Sequence, residues 1–334
     1  MSYIECIQYT SVSLLTAIIT YRLICQHFVW KSKKDINTSL NGKTVVITGA
    51  TAGIGKETAK ELAKRGARVV MGCRDKRTAL EVIQEITANN DHKTVPNVIY
   101  KNIDLCSFSS VKDFAEDIIK SERSVDILIN NAAVLGPPFA LTTDGFETQM
   151  QTNHLSSALL TLLLLPKMQS STQTSLRSRI LMITSTLYRK GVINDNDFIK
   201  ENVSNDTYNR RQAYNNSKLA NILFARHLHR DIVRHNLPID VVCVSPGIVW
   251  TKLGRHLPLK WWQYFLLLPF AALFVRTPRQ GSQTPIHCAT SRTLISDSLY
   301  RNCIPKVWEG NVCDRQLSDK VYELTMKIID RYLP

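Results

Sequence analysis

Short apolar runs rich in β-branched residues alternate with longer helical patterns from residue 41 onward. The predicted strands are 44–49, 67–74, 97–105, 125–132, 179–185 and 240–247. Most of these runs are apolar at nearly every position, which is typical of parallel strands that helices cover on both faces. The pattern therefore predicts a buried parallel sheet.

Longer helical patterns fill the gaps between the predicted strands. They occupy 54–65, 75–89, 108–121, 144–167 and 207–235. Strands and helices that alternate at these lengths predict an α/β fold, a doubly wound parallel sheet of the Rossmann type with right-handed crossovers. Because no internal repeat or low-complexity linker interrupts the pattern, we expect a single domain over 41–334.

An N-terminal segment, residues 1–34, precedes this domain. Within it, 3–21 carries no charged residue except Glu5 and has about the length that spans a bilayer. No small-residue cleavage site follows, which favours an uncleaved anchor over a removed signal peptide. The basic residues come after the span, so the positive-inside rule places the main body in the cytosol. These residues are Arg22, Lys31, Lys33 and Lys34.

A second apolar segment, 261–275, lies within a predicted loop at 252–278. It contains Pro269 and is too short to be a confident membrane span. Paired tryptophans and flanking basic residues favour an element that lies in the lipid headgroup layer. The basic residues are Lys252, Arg255, Lys260, Arg276 and Arg279. The alternative is a buried core helix or flap, and the sequence leaves both open.

Composition and charge narrow the choice of partners. The 334 residues are 44% hydrophobic, which is ordinary for a globular protein, and the net charge of +14 favours anionic partners such as phosphates or acidic lipids. There is no zinc-finger spacing and no RNP-like motif, so we do not expect a nucleic-acid partner. The 8 cysteines are scattered without a CxxC pair. This favours reduced thiols and argues against a metal site.

A glycine-rich turn follows the first predicted strand and opens the first predicted helix. Gly49, Gly53 and Gly55 supply the tight turn and let the backbone approach a pyrophosphate at the positive end of the helix. Thr51 and Ile54 lie in the same turn. The spacing is GxxxGxG, and its place between a strand and a helix predicts a dinucleotide site.

The end of the second predicted strand bears on which dinucleotide binds. An acidic residue here would bind the 2′-hydroxyl of NAD, whereas an arginine would accept the 2′-phosphate of NADP. Arg74, with Lys76 and Arg77 behind it, favours NADP. Asp75 is the alternative, because a shift of one position would give the ribose to it and favour NAD.

Tyr214 and Lys218 lie four residues apart on a long predicted helix, in the stretch YNNSK. Positions i and i+4 share a helix face. A cation beside a phenol favours the phenolate, so we expect Lys218 to lower the pKa of Tyr214 from about 10. Such a phenol can transfer a proton at a carbon–oxygen bond. The alternative is a spacing that arises by chance on a surface helix.

Several ordered motifs resemble the short-chain dehydrogenase/reductase family over roughly 42–325. They are TGATAGIG at 48–55, the Asp104–Leu105 strand end, NNAA at 130–133, Asn153, Ser185, YNNSK at 214–218 and SerProGly at 245–247. Further stretches are similar to the membrane-bound, retinol-dehydrogenase-like branch. These are KETAKELAKRGARV, CRD, SKLANILF and TPRQGSQTPIHCAT.

The resemblance implies four catalytic residues. Tyr214 would be the acid/base, and Lys218 would lower its pKa and bind the nicotinamide ribose. Ser185 would hold the substrate oxygen. Asn153 would shape its helix and support a water relay to Lys218.

The resemblance also implies cofactor contacts outside the glycine-rich turn. Asp104 and Leu105 would lie near the adenine and Asn131 near the ribose. The nicotinamide end would be lined by Pro246, Gly247, Val249 and Thr251.

Three positions in this set carry alternatives. Ala133 stands where the family usually has glycine, so its methyl group is expected to crowd the turn beside the cofactor. Asn131 would alternatively only bridge two strands. Thr251 would alternatively cap a helix.

The implied function is that of an NADP(H)-dependent oxidoreductase that interconverts an apolar alcohol and its aldehyde or ketone, with retinol and retinal as first candidates. Steroids and fatty aldehydes fit equally well, and a nucleotide-binding membrane scaffold without useful turnover is the alternative from another class. We expect an enzyme of lipid metabolism in the endoplasmic reticulum membrane, in preference to a mitochondrial membrane, with its catalytic domain in the cytosol. The sequence is compatible with a homo-oligomer.

Overall fold

A sheet of eight strands forms the centre of the protein in a computed structural model that describes residues 12–13, 16–17, 19–21, 38–88, 96–169, 177–198, 208–256 and 274–334. Most of the predicted anchor and of the apolar segment 261–275 lies outside these ranges. Within them, no helix is both long enough and apolar enough to cross a membrane.

The strands confirm the predicted sheet and add two short ones at its edge. They are β1 (Thr44–Thr48), β2 (Arg68–Cys73), β3 (Val98–Asn102), β4 (Ile127–Asn130), β5 (Ser178–Ile183), β6 (Ile239–Ser245), β7 (Ser298–Arg301) and β8 (Ile304–Lys306). Their order is β3-β2-β1-β4-β5-β6-β7-β8. Only β8 is antiparallel to its neighbour, and the other pairs are parallel.

Helices connect the parallel strands as the doubly wound fold requires. They are α1 (Gly53–Lys64), α2 (Lys76–Ala88), α3 (Phe108–Ser121), α4 (Thr148–Met150), α5 (Ser156–Gln169), α6 (Arg210–Arg234), α7 (Pro278–Gly281), α8 (Gln283–Thr290) and α9 (Arg315–Ile329). The predicted helix at 144–167 is therefore divided. A π-helical turn, Gln151–Leu155, joins α4 to α5.

Two hydrophobic cores lie on opposite faces of the sheet. Val46 of β1 and Leu128 of β4 belong to the core under α3, α5, α6 and α9. Val45 and Ile47 of β1 belong to the core under α1, α2 and α8. Because successive side chains of a strand point to opposite faces, burial on both faces explains why the strand sequences are apolar at nearly every position.

The position of the candidate site follows from the strand order. Along the chain, the sheet grows from β1 toward β3, and then from β4 on the other side of β1. In open α/β sheets ligands bind beyond the carboxyl ends of the strands where the order reverses in this way. The glycine-rich turn after β1, the loop after β4 and the loop after β5 all lie at that edge.

Candidate active site

The turn between β1 and α1 leaves no room for side chains at its glycines. Gly49 and Gly53 have φ angles of +69° and +58°, values that residues with a Cβ rarely adopt. A Cβ on Gly55 would lie 2.4 Å from the Gly49 carbonyl oxygen and 2.5 Å from Asn131 Nδ2. Bare backbone at the N-terminal end of α1 is suited to a pyrophosphate. The predicted glycines thus form a tight turn, the glycine cradle, at the place where the sequence predicts a dinucleotide.

The segment after β6 covers this turn. A Cβ on Gly53 would lie 2.9 Å from Thr251 Cγ2, so Thr251 lies directly over the first residue of α1. Val249 packs near Gly281 of α7, where Ile54 is also close. Thr251 Oγ1 accepts a hydrogen bond from Leu253 N at 3.3 Å, so this residue also caps the following turn. A position over the glycine-rich turn and a role as helix cap are therefore compatible for Thr251.

Arg276 holds the Pro246–Gly247 corner in place. Its Nη1 donates to the Pro246 carbonyl oxygen at 2.8 Å. Its backbone N–H donates to the Ile248 carbonyl at 2.8 Å. The residue is 8% exposed. Arg276 is one of the basic residues that flank 261–275, and its guanidinium is used inside the protein, so it does not support the headgroup alternative.

Asn131 bridges the ends of β1 and β4. Its Nδ2 donates to the carbonyl oxygens of Thr48 at 2.9 Å and Gly49 at 3.1 Å. The backbone N–H groups of Asn131 and Ala132 donate to Thr48 Oγ1, each at 3.1 Å. These contacts are those of the strand-bridging alternative, and they fix the turn from behind.

Ala133 does not adopt the left-handed backbone that would require glycine. It is absent from the non-glycine residues with positive φ, among which Asn236 and Asp297 are examples. The methyl group therefore introduces no backbone strain at this position.

Arg74 and Asp75 have different surroundings at the end of β2. Asp75 Oδ1 accepts from the backbone N–H of Arg77 at 3.0 Å, and Asp75 Oδ2 accepts from Thr78 Oγ1 at 2.5 Å. The hydrogen bond from the Thr78 hydroxyl is the main cause of the lowered pKa of Asp75. The carboxylate thus caps α2, whereas the Arg74 side chain is exposed at the sheet edge.

Asp104 and Leu105 lie beyond the carboxyl end of β3. Asp104 Oδ1 accepts from the backbone N–H of Cys106 at 2.9 Å. Leu105 is buried, and its carbonyl accepts from Ser156 Oγ at 2.7 Å. Both residues belong to the edge of the sheet where the adenine contact was predicted.

Tyr214 and Lys218 are buried together on α6. They are 4% and 2% exposed, and Lys218 Nζ lies 5.7 Å from the centre of the Tyr214 ring. Lys218 Nζ donates to the Ile183 carbonyl at the end of β5, at 2.9 Å. Ser185, just past β5, forms a side-chain hydrogen bond with Tyr214. Burial of both side chains excludes the chance surface pattern.

Burial sets the proton affinities of the pair. It raises the pKa of Tyr214 to about 12, and the hydrogen bond with Ser185 acts in the opposite direction. Burial also lowers the pKa of Lys218 to about 8. The prediction that Lys218 lowers the pKa of Tyr214 is therefore wrong for the protein alone, because desolvation raises this pKa and outweighs the opposing hydrogen bond with Ser185.

Asn153 lies in the π-helical turn and is held on several sides. Its Oδ1 accepts from the backbone N–H of Val134 at 2.8 Å, and its Nδ2 donates to the Val134 carbonyl at 3.0 Å. The same Nδ2 donates to Ser217 Oγ at 3.0 Å. Ser217 was missed in the sequence, although it stands within YNNSK beside Lys218. The structure thus brings Asn153, Ser185, Tyr214 and Lys218 to one place.

The chain has clear relatives among known proteins. Residues 43–196 match the family model described as short chain dehydrogenase. Retinol dehydrogenase 14 of Mus musculus is 38% identical over 297 residues, which cover 86% of this chain and 85% of the relative. Retinol dehydrogenase 11 of Homo sapiens is 39% identical over 266 residues, covering 79% of this chain and 78% of the relative.

A solved structure supports the same fold. The crystal structure of an uncharacterised protein from Mycobacterium paratuberculosis superimposes with a TM-score of 0.68 at 30% sequence identity. The match covers 88% of this chain and 95% of the other. The fold is thus shared with a protein whose structure was determined by experiment.

We expect replacement of Lys218 with methionine to stabilise the fold. A pKa near 8 in place of 10.5 corresponds to about 3 kcal/mol against the charged amine, and loss of the bond to Ile183 offsets about 1 kcal/mol. The free energy of unfolding at pH 7, from denaturant titration, should therefore rise by about 2 kcal/mol.

The pH dependence of the free energy of unfolding is the control for the Lys218→Met prediction. The folded protein binds fewer protons than the unfolded chain between the two pKa values of Lys218, about 8 and 10.5. Wild-type stability attributable to Lys218 therefore rises with pH through this window, and the advantage of the methionine variant shrinks. An advantage that is absent at pH 7, or equal at pH 7 and pH 10, contradicts the burial argument.

Proposed function

The chain belongs to the short-chain dehydrogenase family, in its retinol-dehydrogenase-like branch, and on this premise we propose that it interconverts an apolar alcohol and its aldehyde or ketone with NADP(H). At the coarser level it is an NAD(P)-dependent oxidoreductase that acts on CH–OH groups. Retinol and retinal are the first candidate substrates, since the relatives are retinol dehydrogenases. Steroids and fatty aldehydes are the alternative substrates.

One observation carries this proposal. The Tyr214 phenol, the Lys218 amine and the Ser185 hydroxyl lie together at the sheet edge that also holds the glycine cradle. Burial of the Tyr214 phenol and the Lys218 amine costs free energy, because desolvation disfavours their charged forms. Such a cost is usually retained where the buried groups have a function. Proton transfer beside a bound dinucleotide is a function that uses both groups.

Each residue has a defined part in the chemistry. Ser185 donates a hydrogen bond to the substrate oxygen and stabilises charge that develops on it. Tyr214, protonated at neutral pH because its pKa is about 12, gives its proton to that oxygen in carbonyl reduction. In alcohol oxidation Tyr214 must first lose this proton. A bound nicotinamide supplies or accepts the hydride.

The cofactor proposed is NADP rather than NAD. Asp75 uses its carboxylate to cap α2, which leaves the exposed Arg74 as the charged side chain available at the end of β2. A guanidinium suits a 2′-phosphate, which it can bind in a bidentate manner. The remaining proposed contacts come from the glycine turn and from the segments at 104–105 and 246–251.

A lipid-facing surface is proposed beside the site, with residues 1–34 as an anchor and 252–278 as the substrate and membrane loop of a catalytic domain at 41–334. The Tyr21 ring lies 6.3 Å from that of Phe274, in an edge-to-face arrangement. Ile248 and Trp250 are 58% and 64% exposed, and the Trp250 N–H donates to the Arg276 carbonyl, two residues from Phe274. Several exposed apolar side chains grouped in one region favour a membrane or protein contact. We infer attachment to the endoplasmic reticulum membrane, with the catalytic domain in the cytosol.

Substitution of Tyr214 with phenylalanine tests the reaction. Purified wild type is expected to reduce at least one of all-trans-retinal, a steroid ketone and a medium-chain aldehyde with NADPH, and Tyr214→Phe should lose more than about a hundredfold in rate. The matched control is Tyr300→Phe, since Tyr300 is equally buried but lies on β7 and hydrogen-bonds Ile295. Full activity in Tyr214→Phe, or none in wild type, contradicts the proposal.

Substitution of Arg74 with aspartate tests the cofactor. Loss of one charge-assisted contact and gain of a negative charge should weaken NADPH binding by about tenfold to a hundredfold, while NADH binding stays or improves. Fluorescence titration measures both affinities. Arg234→Asp, at the far end of α6, makes the same change of charge and should leave them unaltered. An unchanged preference in Arg74→Asp would count against NADP recognition by this residue.

Quenching by brominated lipids tests the lipid-facing surface. In vesicles that contain the full chain, part of the quenched tryptophan fluorescence should disappear in Trp250→Phe, because the exposed indole is expected to lie in the interface. Trp308→Phe is the control, as Trp308 Nε1 donates to the Asp297 carbonyl within the protein, at 2.7 Å. Equal quenched fractions in wild type and Trp250→Phe would mean that Trp250 does not contact lipid.

A further inference from the structure

The π-helical turn at Gln151–Leu155 carries a buried histidine next to Asn153. His154 is 0% exposed, and edge-to-face contacts with Phe198 and Phe224, each at 5.9 Å, hold its ring. Burial lowers the pKa of His154 to about 4, and the charge of Lys218 acts in the same direction. The imidazole is therefore neutral and carries a single proton.

A chain of hydrogen bonds runs from the Asn153 backbone through this histidine. Asn221 Nδ2 donates to the Asn153 carbonyl oxygen at 2.8 Å. His154 Nδ1 lies 3.1 Å from Asn221 Oδ1, and His154 Nε2 lies 2.9 Å from Thr325 Oγ1. Three elements are linked in this way: the π-helical turn, α6 and the C-terminal helix α9.

For a neutral imidazole, one tautomer fits the groups that face its two nitrogens. The Asn221 amide nitrogen faces a carbonyl, so the Asn221 oxygen faces His154 and Nδ1 must donate. Nε2 then accepts the hydroxyl proton of Thr325. The Thr325 hydroxyl also donates to the Val321 carbonyl at 2.7 Å, so its one proton is shared between that carbonyl and Nε2.

Asn221 stands three residues after Lys218, so the two side chains share a face of α6. Asn153 is thus held by Ser217 at its amide and by Asn221 at its carbonyl. A carbonyl oxygen has two lone pairs, and Asn221 uses one of them.

We propose that Asn221, His154 and Thr325 are positioning residues for the reaction, through which the C-terminal helix α9 fixes the Asn153 carbonyl against the face of α6 that carries Lys218. This inference rests on the proposed oxidoreductase function. None of the three side chains needs to touch the substrate. They act through Asn153, whose carbonyl would shift if the chain were cut.

The packing of α9 allows this chain to be cut without releasing the helix. The Tyr322 ring stacks on Phe224 at 5.7 Å, and Ser318 Oγ donates to the Leu223 carbonyl at 2.8 Å. Both contacts are independent of Thr325. Valine has nearly the shape of threonine and lacks the hydroxyl, so Thr325→Val should fold with α9 in place.

The test compares Thr325→Val, Thr325→Ser and Thr290→Val in the full-length protein. Thr290 is also buried and donates to a carbonyl four residues earlier, Ile286, at 2.8 Å, but it lies on α8 away from the chain. We expect kcat to fall about tenfold in Thr325→Val, with the KM for NADPH within about twofold and the midpoint of the pH–rate profile displaced. Thr325→Ser should retain wild-type kcat, and Thr290→Val should too. Wild-type kcat in Thr325→Val, or an equal loss in Thr325→Ser, overturns the proposal.

Nuclear magnetic resonance of ¹⁵N-labelled histidine gives a readout that does not depend on turnover. The His154 signal, identified by its loss in His154→Gln, should show the neutral Nδ1–H tautomer at pH 7 in wild type and Thr325→Ser, and a changed Nε2 shift in Thr325→Val. A cationic ring or the Nε2–H tautomer in wild type overturns the positioning proposal while the enzyme assay stands. Wild type that shows the expected tautomer but reduces no substrate overturns the proposed function instead.

Discussion

The burial of a phenol and an amine side by side on α6 is the constraint around which the site is organised. Water is excluded from Tyr214 and Lys218, so both groups are pushed toward their neutral forms. A tyrosine in this state keeps its proton at neutral pH and is a proton donor until a further positive charge, such as an oxidised nicotinamide, binds beside it. The proposed chemistry therefore depends on a balance between desolvation and the charge of what binds in the cleft.

The fold brings the loops that form the site to one edge of the sheet. The reversal of strand order beside β1 opens the crevice, and the glycine turn lines it with bare backbone. Asn131 holds this turn from the β4 side, and Arg276 holds the Pro246 corner opposite. Both supports are hydrogen bonds to backbone carbonyls; Asn131 adds no charge, whereas Arg276 brings a guanidinium to the Pro246 corner.

Local spacing predicted the fold and the members of the site but not their long-range partners. The glycine turn, Ser185 and YNNSK are short patterns with a direct physical meaning, so they could be read from the sequence. Arg276 and Pro246 are 30 residues apart, and His154 and Thr325 are 171 apart, so neither contact leaves a local pattern. The sign of the Tyr214 pKa shift was wrong because spacing shows a neighbouring cation but not the depth of burial. The strands β7 and β8 were missed because four and three residues are too few for a periodic signal.

The most direct test is an ultraviolet titration of tyrosine ionisation in wild type minus Tyr214→Phe, with and without oxidised NADP. In the protein alone Tyr214 should remain protonated up to at least about pH 10, consistent with a pKa near 12. With the oxidised nucleotide bound, the positive nicotinamide ring should favour the phenolate and move the ionisation lower by at least about one pH unit. An ionisation near pH 10 in the protein alone, or the same midpoint with and without nucleotide, would contradict the account.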